Sequence, residues 1–338
     1  MAESLPLLIV IIALAMTFDF INGFHDTANA IATVVATRVL SPRQAIVMSA
    51  ILNFLGAFSG TAVAGTVGKG IIDPAASTQE VVIAALCGAI IWNLITWYLG
   101  IPSSSSHALI GGLIGGALAF RGSSALNRPG IETVVFSLLS SPVIGMVFGF
   151  ILMIVLLWLV ARQSRHVVNN YFGRLQLLSS AFMSFSHGSN DAQKTMGVIT
   201  MTLYSYGLIG SFQVPVWVIA IAALSMAAGT SAGGWRIIKT MGHKIIKLEP
   251  IHGFAAETAA ASVIQIATHF GLPVSTTHVI SGSIMGVGAS RRLSAVRWGV
   301  AENMLVAWVL TIPASGAMAW LLFEGFTAIH NAVVATGV

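Results

Sequence analysis

Charge is what this sequence has least of. Of its 338 residues only 8% are Asp, Glu, Lys or Arg, against roughly 25% in an ordinary soluble domain. So few ionised groups cannot cover the water-facing surface of a chain this long, which excludes a large soluble globular protein. Cysteine is nearly absent too. Cys87 stands alone, so no disulfide forms within the chain. The N-terminal apolar run from Leu5 to Phe18 lacks a basic segment before it and continues through Val35, so it reads as a retained span and not as a cleaved leader. What fills the chain instead is apolar: 56% hydrophobic residues, a mean hydropathy of +0.88, 34 glycines and 13 methionines. That composition suits helices packed closely in lipid.

A helix needs about 20 apolar residues to cross the bilayer core. Ten segments qualify: 5–36, 44–66, 81–99, 101–120, 131–161, 175–202, 215–234, 254–270, 272–290 and 298–323. Alternation sorts the loops onto two sides. One side holds Arg38 and Arg43, then Arg162, Arg165 and Arg174, then Arg236, Lys239, Lys244 and Lys247, then Arg291, Arg292 and Arg297. The other holds Lys69, Arg121 and Arg128, while Lys194 lies inside a span. The basic side is cytoplasmic, which puts both termini outside a multi-pass cell (inner) membrane protein. Basic residues confined to short loops act as orientation signals, so no nucleic-acid partner is expected.

Two polar motifs recur. Gly23-Phe-His-Asp-Thr-Ala-Asn29 aligns with Gly188-Ser-Asn-Asp-Ala-Gln-Lys194, and Ile101-Pro-Ser-Ser-Ser-Ser-His107 with Leu272-Pro-Val-Ser-Thr-Thr-His278. The offsets are 165 and 171 residues, so residues 1–165 and 174–338 share one order of parts. Five spans per copy is an odd number, which turns the second copy upside down. The expected fold is an all-α polytopic membrane protein made of two inverted-topology repeats of about five spans each. Its Ser/Thr-rich segments are expected to be broken or hairpin-like.

In the first span Asp19, Asn22, Asp26, Asn29 and Thr33 recur at three- and four-residue steps, which form one helical stripe; Ser184, His187, Asp191 and Lys194 repeat it in the sixth. A carboxylate inside the membrane costs about 2.5–3.5 kcal/mol even on translocon scales. Asp26 and Asp191 could be structural glue between helices, but their occurrence at matched positions in two copies favours a site. Asp and Asn oxygens suit a hard cation such as Na⁺, and a carboxylate can alternatively take a proton. Either would offset the charge of an anion entering a site of low dielectric constant. Hydroxyls and free N–H groups at a helix start suit a tetrahedral oxyanion, and Ser103 to Ser106, Ser275, Thr276 and Thr277 each follow a proline. Gly111, Gly112, Gly115, Gly116, Gly282 and Gly286 behind them permit close helix approach. Glu257 is a third intramembrane carboxylate, equally readable as a gate or as a structural pair. Asn53 and Asn93 read as interhelical hydrogen-bonders, and His107 and His278 as groups orienting the hydroxyl runs, since neither has an acidic or Cys partner at ligand spacing.

At these residues the sequence resembles the inorganic phosphate transporter family, the Pit-type permeases, over nearly its whole length. That family carries a duplicated Gly-x-Asn-Asp motif. Gly188-Ser-Asn-Asp191 matches it fully; in the first copy His25 stands where the family has Asn, while Asp26, Ala28, Asn29 and Ala30 fit. The two Pro-containing Ser/Thr segments and Gly253-Phe-Ala-Ala-Glu-Thr258 also resemble family signatures. The resemblance implies import of inorganic phosphate, in some members as a metal–phosphate complex, by Na⁺ or H⁺ symport through alternating access. It further implies a central site shared by both halves, a homodimer, and no cofactor beyond the co-transported Na⁺ or H⁺. Carried over by position, Ser104, Ser105, Ser106, Ser275, Thr276 and Thr277 bind phosphate, and Asp26, Asn29, Asn190 and Asp191 bind the coupling cation, Na⁺ included. His25, Gln193, Lys194 and Glu257 are candidate site or gate residues. His25 leaves the choice between Na⁺ and H⁺ open.

Sulfate or another tetrahedral oxyanion is the alternative cargo. HPO₄²⁻ has a proton that Asp26 or Asp191 can accept, whereas sulfate has none to donate. An enzyme is disfavoured: the chain has no Gly-x-Ser-x-Gly elbow and no His-Glu-x-x-His helix, and Ser106 and His107, as neighbours, point about 100° apart on a helix. A channel is disfavoured by charged stripes that suit a closed, neutralising site. Asp191→Asn is predicted to abolish coupled uptake while membrane insertion persists; transport at the wild-type rate, measured in reconstituted vesicles, would remove Asp191 from the site.

Overall fold

The computed structural model describes residues 5–73 and 76–336. Twelve α-helices follow one another: α1 (Leu5–Ala36), α2 (Pro42–Ala57), α3 (Ala62–Gly70), α4 (Gln79–Leu99), α5 (Ser105–Arg121), α6 (Arg128–Leu159), α7 (Arg165–Ser205), α8 (Val216–Ala232), α9 (Trp235–His243), α10 (Pro250–His269), α11 (Thr276–Arg291) and α12 (Trp298–Thr336). The order repeats after six. Each set has a long helix (α1, α7), a bent pair (α2–α3, α8–α9), a helical hairpin (α4–α5, α10–α11) and a long helix containing a proline, Pro142 in α6 and Pro313 in α12.

Among the described residues five helices are long and apolar enough to cross a membrane, or up to seven if each bent pair is one span. The ten expected segments all contain helix, but two of them break. Segment 44–66 bends by 71° between α2 and α3, and segment 215–234 ends at a 72° bend into α9. Gly233, at φ +72°, takes the left-handed conformation that lets the chain turn there. Residues 235–243, expected in a loop because of Arg236 and Lys239, form α9. It buries Ile237, Ile238 and Met241 along one face and leaves both basic residues exposed on the other. The sixth span is also longer than expected: α7 begins at Arg165, where Ser164 caps it by accepting from the Val167 N–H. Its 41 residues extend about 60 Å at 1.5 Å per residue, well beyond a hydrocarbon core of about 30 Å.

The Ser/Thr segments start their helices later than their apolar runs do. Gly100 (φ +68°) ends α4 and Gly271 (φ +69°) follows α10. Both sit one residue before the Ile101-Pro102 and Leu272-Pro273 pairs, where proline withholds an N–H. The chain then stays extended until Ser104 and Ser275 cap α5 and α11, accepting from the N–H groups of His107 (3.2 Å) and His278 (3.3 Å). The second arm of each hairpin, α5 or α11, therefore begins with first-turn N–H groups that have no intrahelical acceptor.

The two sets interlock. α1 packs on α8 and α7 on α2; α5 packs on α12 and α11 on α6. Glycine makes these crossings close. A Cβ on Gly229 would lie 2.0 Å from the Phe20 carbonyl oxygen, and one on Gly56 2.1 Å from that of Phe185. In the hairpin arms, a Cβ on Gly115 would lie 2.1 Å from the Gly316 oxygen and one on Gly286 2.0 Å from the Met146 oxygen.

Two apolar cores result. The first gathers Leu8, Ile11, Ala15 and Phe18 from the start of α1 with Met196, Ile199 and Leu203 from the end of α7. The second gathers Ile31 and Val34 from the end of α1 with Phe172 and Met183 from the start of α7. The long helices thus run in opposite senses, and between the cores lies a polar layer. Substituting Gly229→Ala should destabilise the protein by about 1–3 kcal/mol through overpacking against α1, seen as a lower thermal midpoint in detergent; an unchanged midpoint would show that the α1–α8 crossing has slack.

Candidate functional site

The polar layer is built where α1 and α7 meet the starts of α5 and α11. One ligand atom each from Asp26, His187 and Asp191 lies within 4.8 Å of the others, and all three residues are buried. The two carboxylates that the sequence places 165 residues apart are therefore neighbours. A cation bound between them would have two charged oxygens and an imidazole nitrogen at hand.

Each carboxylate is held by groups on its own helix or on a neighbouring one. The Asp191 Oδ1 pairs with the Lys194 ammonium one turn on, and Oδ2 accepts from Thr276 Oγ1 of α11 at 3.0 Å, with His187 Nε2 at 3.3 Å. Asp26 Oδ1 lies 2.7 Å from His25 Nδ1. Asp19, two stripe positions earlier on α1, accepts from Thr195 Oγ1 of α7 at 3.0 Å.

The hydroxyl runs meet the same layer. Asn29 Nδ2 donates to Thr277 Oγ1 (2.9 Å) and Thr276 Oγ1 (3.3 Å). Its counterpart Lys194 donates to Ser106 Oγ (2.5 Å) and to the Val274 carbonyl (2.9 Å). Ser105 Oγ is buried with no hydrogen-bond partner, an unspent donor at the first turn of α5. The rings of His107 and His278 stack with centroids 4.4 Å apart, and His278 stacks on Trp308 at 3.9 Å. Trp308 in turn donates its indole N–H to the Pro102 carbonyl (3.0 Å). These rings clamp α5 and α11 with their N-termini side by side. Each N-terminus carries about half a positive charge, so the pair offers an anion two dipole ends, unpaired N–H groups and hydroxyl donors next to carboxylates that can hold cations.

His25, the mismatch in the first motif, points into this network. Its Nε2 lies 3.1 Å from Thr96 Oγ1 at the end of α4, and Asn190 donates to Thr268 Oγ1 at the end of α10 at 2.7 Å. The two contacts are similar, although the threonines are one residue out of register between the hairpins, so His25 occupies the place that Asn190 has in the second copy. Thr96 and Thr268 were missed by reading the sequence alone; Ser103, named there with the hydroxyl run, donates to Thr96 (2.8 Å). Their signal is present: each threonine lies a few residues before the Gly-x-Pro of its hairpin.

Other candidates lie differently. Gln193 accepts from the Val63 N–H (2.8 Å) and donates to the Ser189 carbonyl (2.7 Å), so it caps α3 at the break, where Thr61 makes no side-chain cap. Glu257 joins a second knot, accepting from Thr33, Ser179 and Gln176. Thr33 is seven residues beyond Asp26, about 10 Å along α1. Asn53 bridges helices as expected, to Thr230 (2.8 Å) and His187 (3.1 Å). Asn93 does not: its side-chain atoms are buried without a partner.

Apolar helices enclosing two hairpin tips and a buried carboxylate layer define a membrane transporter, not an enzyme. The chain belongs to the phosphate transporter family, whose model matches residues 22–319. It is 51% identical over 322 residues to a "Probable low-affinity inorganic phosphate transporter" of Rhizobium meliloti (strain 1021), covering 95% of this chain and 96% of the relative. A protein of the same description from Bacillus subtilis (strain 168) is 50% identical, covering 95% and 98%. Among solved structures, "The sodium-dependent phosphate transporter" superposes with a TM-score of 0.88 at 26% identity, covering 96% of this chain and all of that one.

Proposed function

We propose that this chain imports inorganic phosphate by cation symport, with Na⁺ or H⁺ as the coupling ion, through alternating access of two inverted repeats. The observation that carries the reading is the meeting of the α5 and α11 N-termini against the Asp26–Asp191 pair. Phosphate needs donors, and the hairpin starts supply them through Ser104, Ser105, Ser106, Ser275, Thr276 and Thr277. A buried anion also needs opposite charge beside it. Cations held at Asp26, Asn29, Asn190 and Asp191 would supply it, and a divalent metal travelling with phosphate would find the same oxygens. Because the anion is bound only with its cations, their movements are coupled.

The antiparallel course of α1 and α7 supports inversion of the repeats. Counting α4 and α5 as two spans or as one hairpin changes the tally by two, so an odd number per repeat survives either way. Cytoplasmic basic loops, both termini outside and a homodimer complete the reading.

Uptake of labelled phosphate and sulfate into proteoliposomes, with Na⁺ and pH gradients imposed separately, tests it. Cation-driven phosphate uptake is expected; sulfate uptake without phosphate, or an ohmic phosphate current indifferent to both gradients, would sink it. Ser105→Ala should raise the apparent phosphate KM by roughly 10-fold or more, the loss of one hydrogen bond to a charged group, with cation dependence kept.

A further inference from the structure

The two repeats match in position but not in charge. The α1 stripe reads Asp19, Asn22, Asp26, Asn29; the corresponding α7 stripe, 165 residues on, reads Ser184, His187, Asp191, Lys194. The first has two carboxylates and no fixed cation. The second has one carboxylate and one ammonium.

Lys194 stands where Asn29 stands. The Asn29 amide reaches across to Thr276 and Thr277 of α11, and the Lys194 ammonium reaches across to Ser106 of α5, the residue matching Thr277. Lys194 also pairs with Asp191 and bonds to the Val274 carbonyl, with 2% of its surface exposed. Three oxygen or carboxylate partners around one buried ammonium form a cation site already filled. On α1 the opposite holds. Asp19 Oδ2, Asn22 Oδ1 and Asn29 Oδ1 are buried without a hydrogen-bond partner; among the described residues Asp26 pairs with the imidazole of His25 and has that of His187 within 4.8 Å, with no lysine or arginine paired to it. On α7, Asn190 Oδ1 is likewise open, but it lies beside a carboxylate that already has its counter-charge. Unmet oxygens next to unneutralised carboxylates call for a cation.

We propose that Lys194 is a resident cation that fills, in the second repeat, the place a co-transported cation takes in the first, which narrows the four-residue cation set given above: Asn190 and Asp191 take no mobile cation of their own, and mobile cations load against Asp26 and the α1 stripe. The inference rests on the symport reading above. Its consequence is a charge count: each phosphate travels with one cation fewer than it would if Asp191 had to be neutralised from solution.

The count can be read without knowing which cation is carried. Proteoliposomes are clamped with K⁺ and valinomycin, and the voltage at which net phosphate flux vanishes gives the charge moved per phosphate. Lys194→Asn, which restores the residue of the first repeat, should shift that voltage to a ratio larger by one charge. An unchanged ratio overturns the proposal, including the case where only the phosphate KM rises, which marks Lys194 as a plain phosphate ligand. Should Lys194→Asn carry no phosphate, Asp191→Asn/Lys194→Asn decides. Removing both charges should raise uptake about 10-fold or more over Asp191→Asn alone, which strands a buried ammonium; no recovery overturns the proposal. Absence of phosphate uptake by the unaltered protein would instead refute symport itself, so the two failures are distinct.

Discussion

A carboxylate cannot lie bare inside a bilayer, and the architecture follows from that constraint. Asp26 and Asp191 are buried on the long helices α1 and α7, past the middle of each, between two apolar cores. Everything packed around them supplies compensation: the Lys194 ammonium, the imidazoles of His25 and His187, and the hydroxyl of Thr276. The broken hairpins bring helix N-termini, and so partial positive charge, into the same layer. Only a chain able to stop a helix in the middle of its packing can do this. Gly-x-Pro followed by a serine cap performs the stop, once per repeat.

Close approach is the second requirement. The N-terminal turns of α5 and α11 can face one another because their outer surfaces are clasped at glycines by α12 and α6, each from the opposite repeat. The site is therefore not a pocket on one domain. It exists only where helices from both halves of the chain pack against one another.

Symmetry places the parts, and departures from symmetry assign their tasks. His25 and Asn190 each reach a threonine at the end of a hairpin's first arm, so the mismatch in the first motif changes the chemistry of that contact while keeping its place in the fold. Lys194 does more. It converts one of two equivalent acidic positions into an internal ion pair, leaving the repeats alike in shape and unlike in charge.

By itself the sequence determined the membrane class, the recurrence of the two polar motifs and the close glycine contacts, and it named the polar residues that the fold gathers into one layer, because hydropathy, motif offset and helical spacing are local properties of the chain. It also carried the family. What it could not determine were the breaks at residues 58–61 and 233–234, the helix at 235–243, and the partners of the polar groups. A bend depends on which helix crosses there, and Gln193 becomes a cap only because α7 passes the start of α3. Glu257 reads the same in sequence whether it faces phosphate or a knot of Thr33, Gln176 and Ser179. The carboxylate layer itself came from residues 165 positions apart on antiparallel helices. The sequence shows that the two aspartates are equivalent; only the packing puts them beside one another, with a lysine on one and open oxygens around the other.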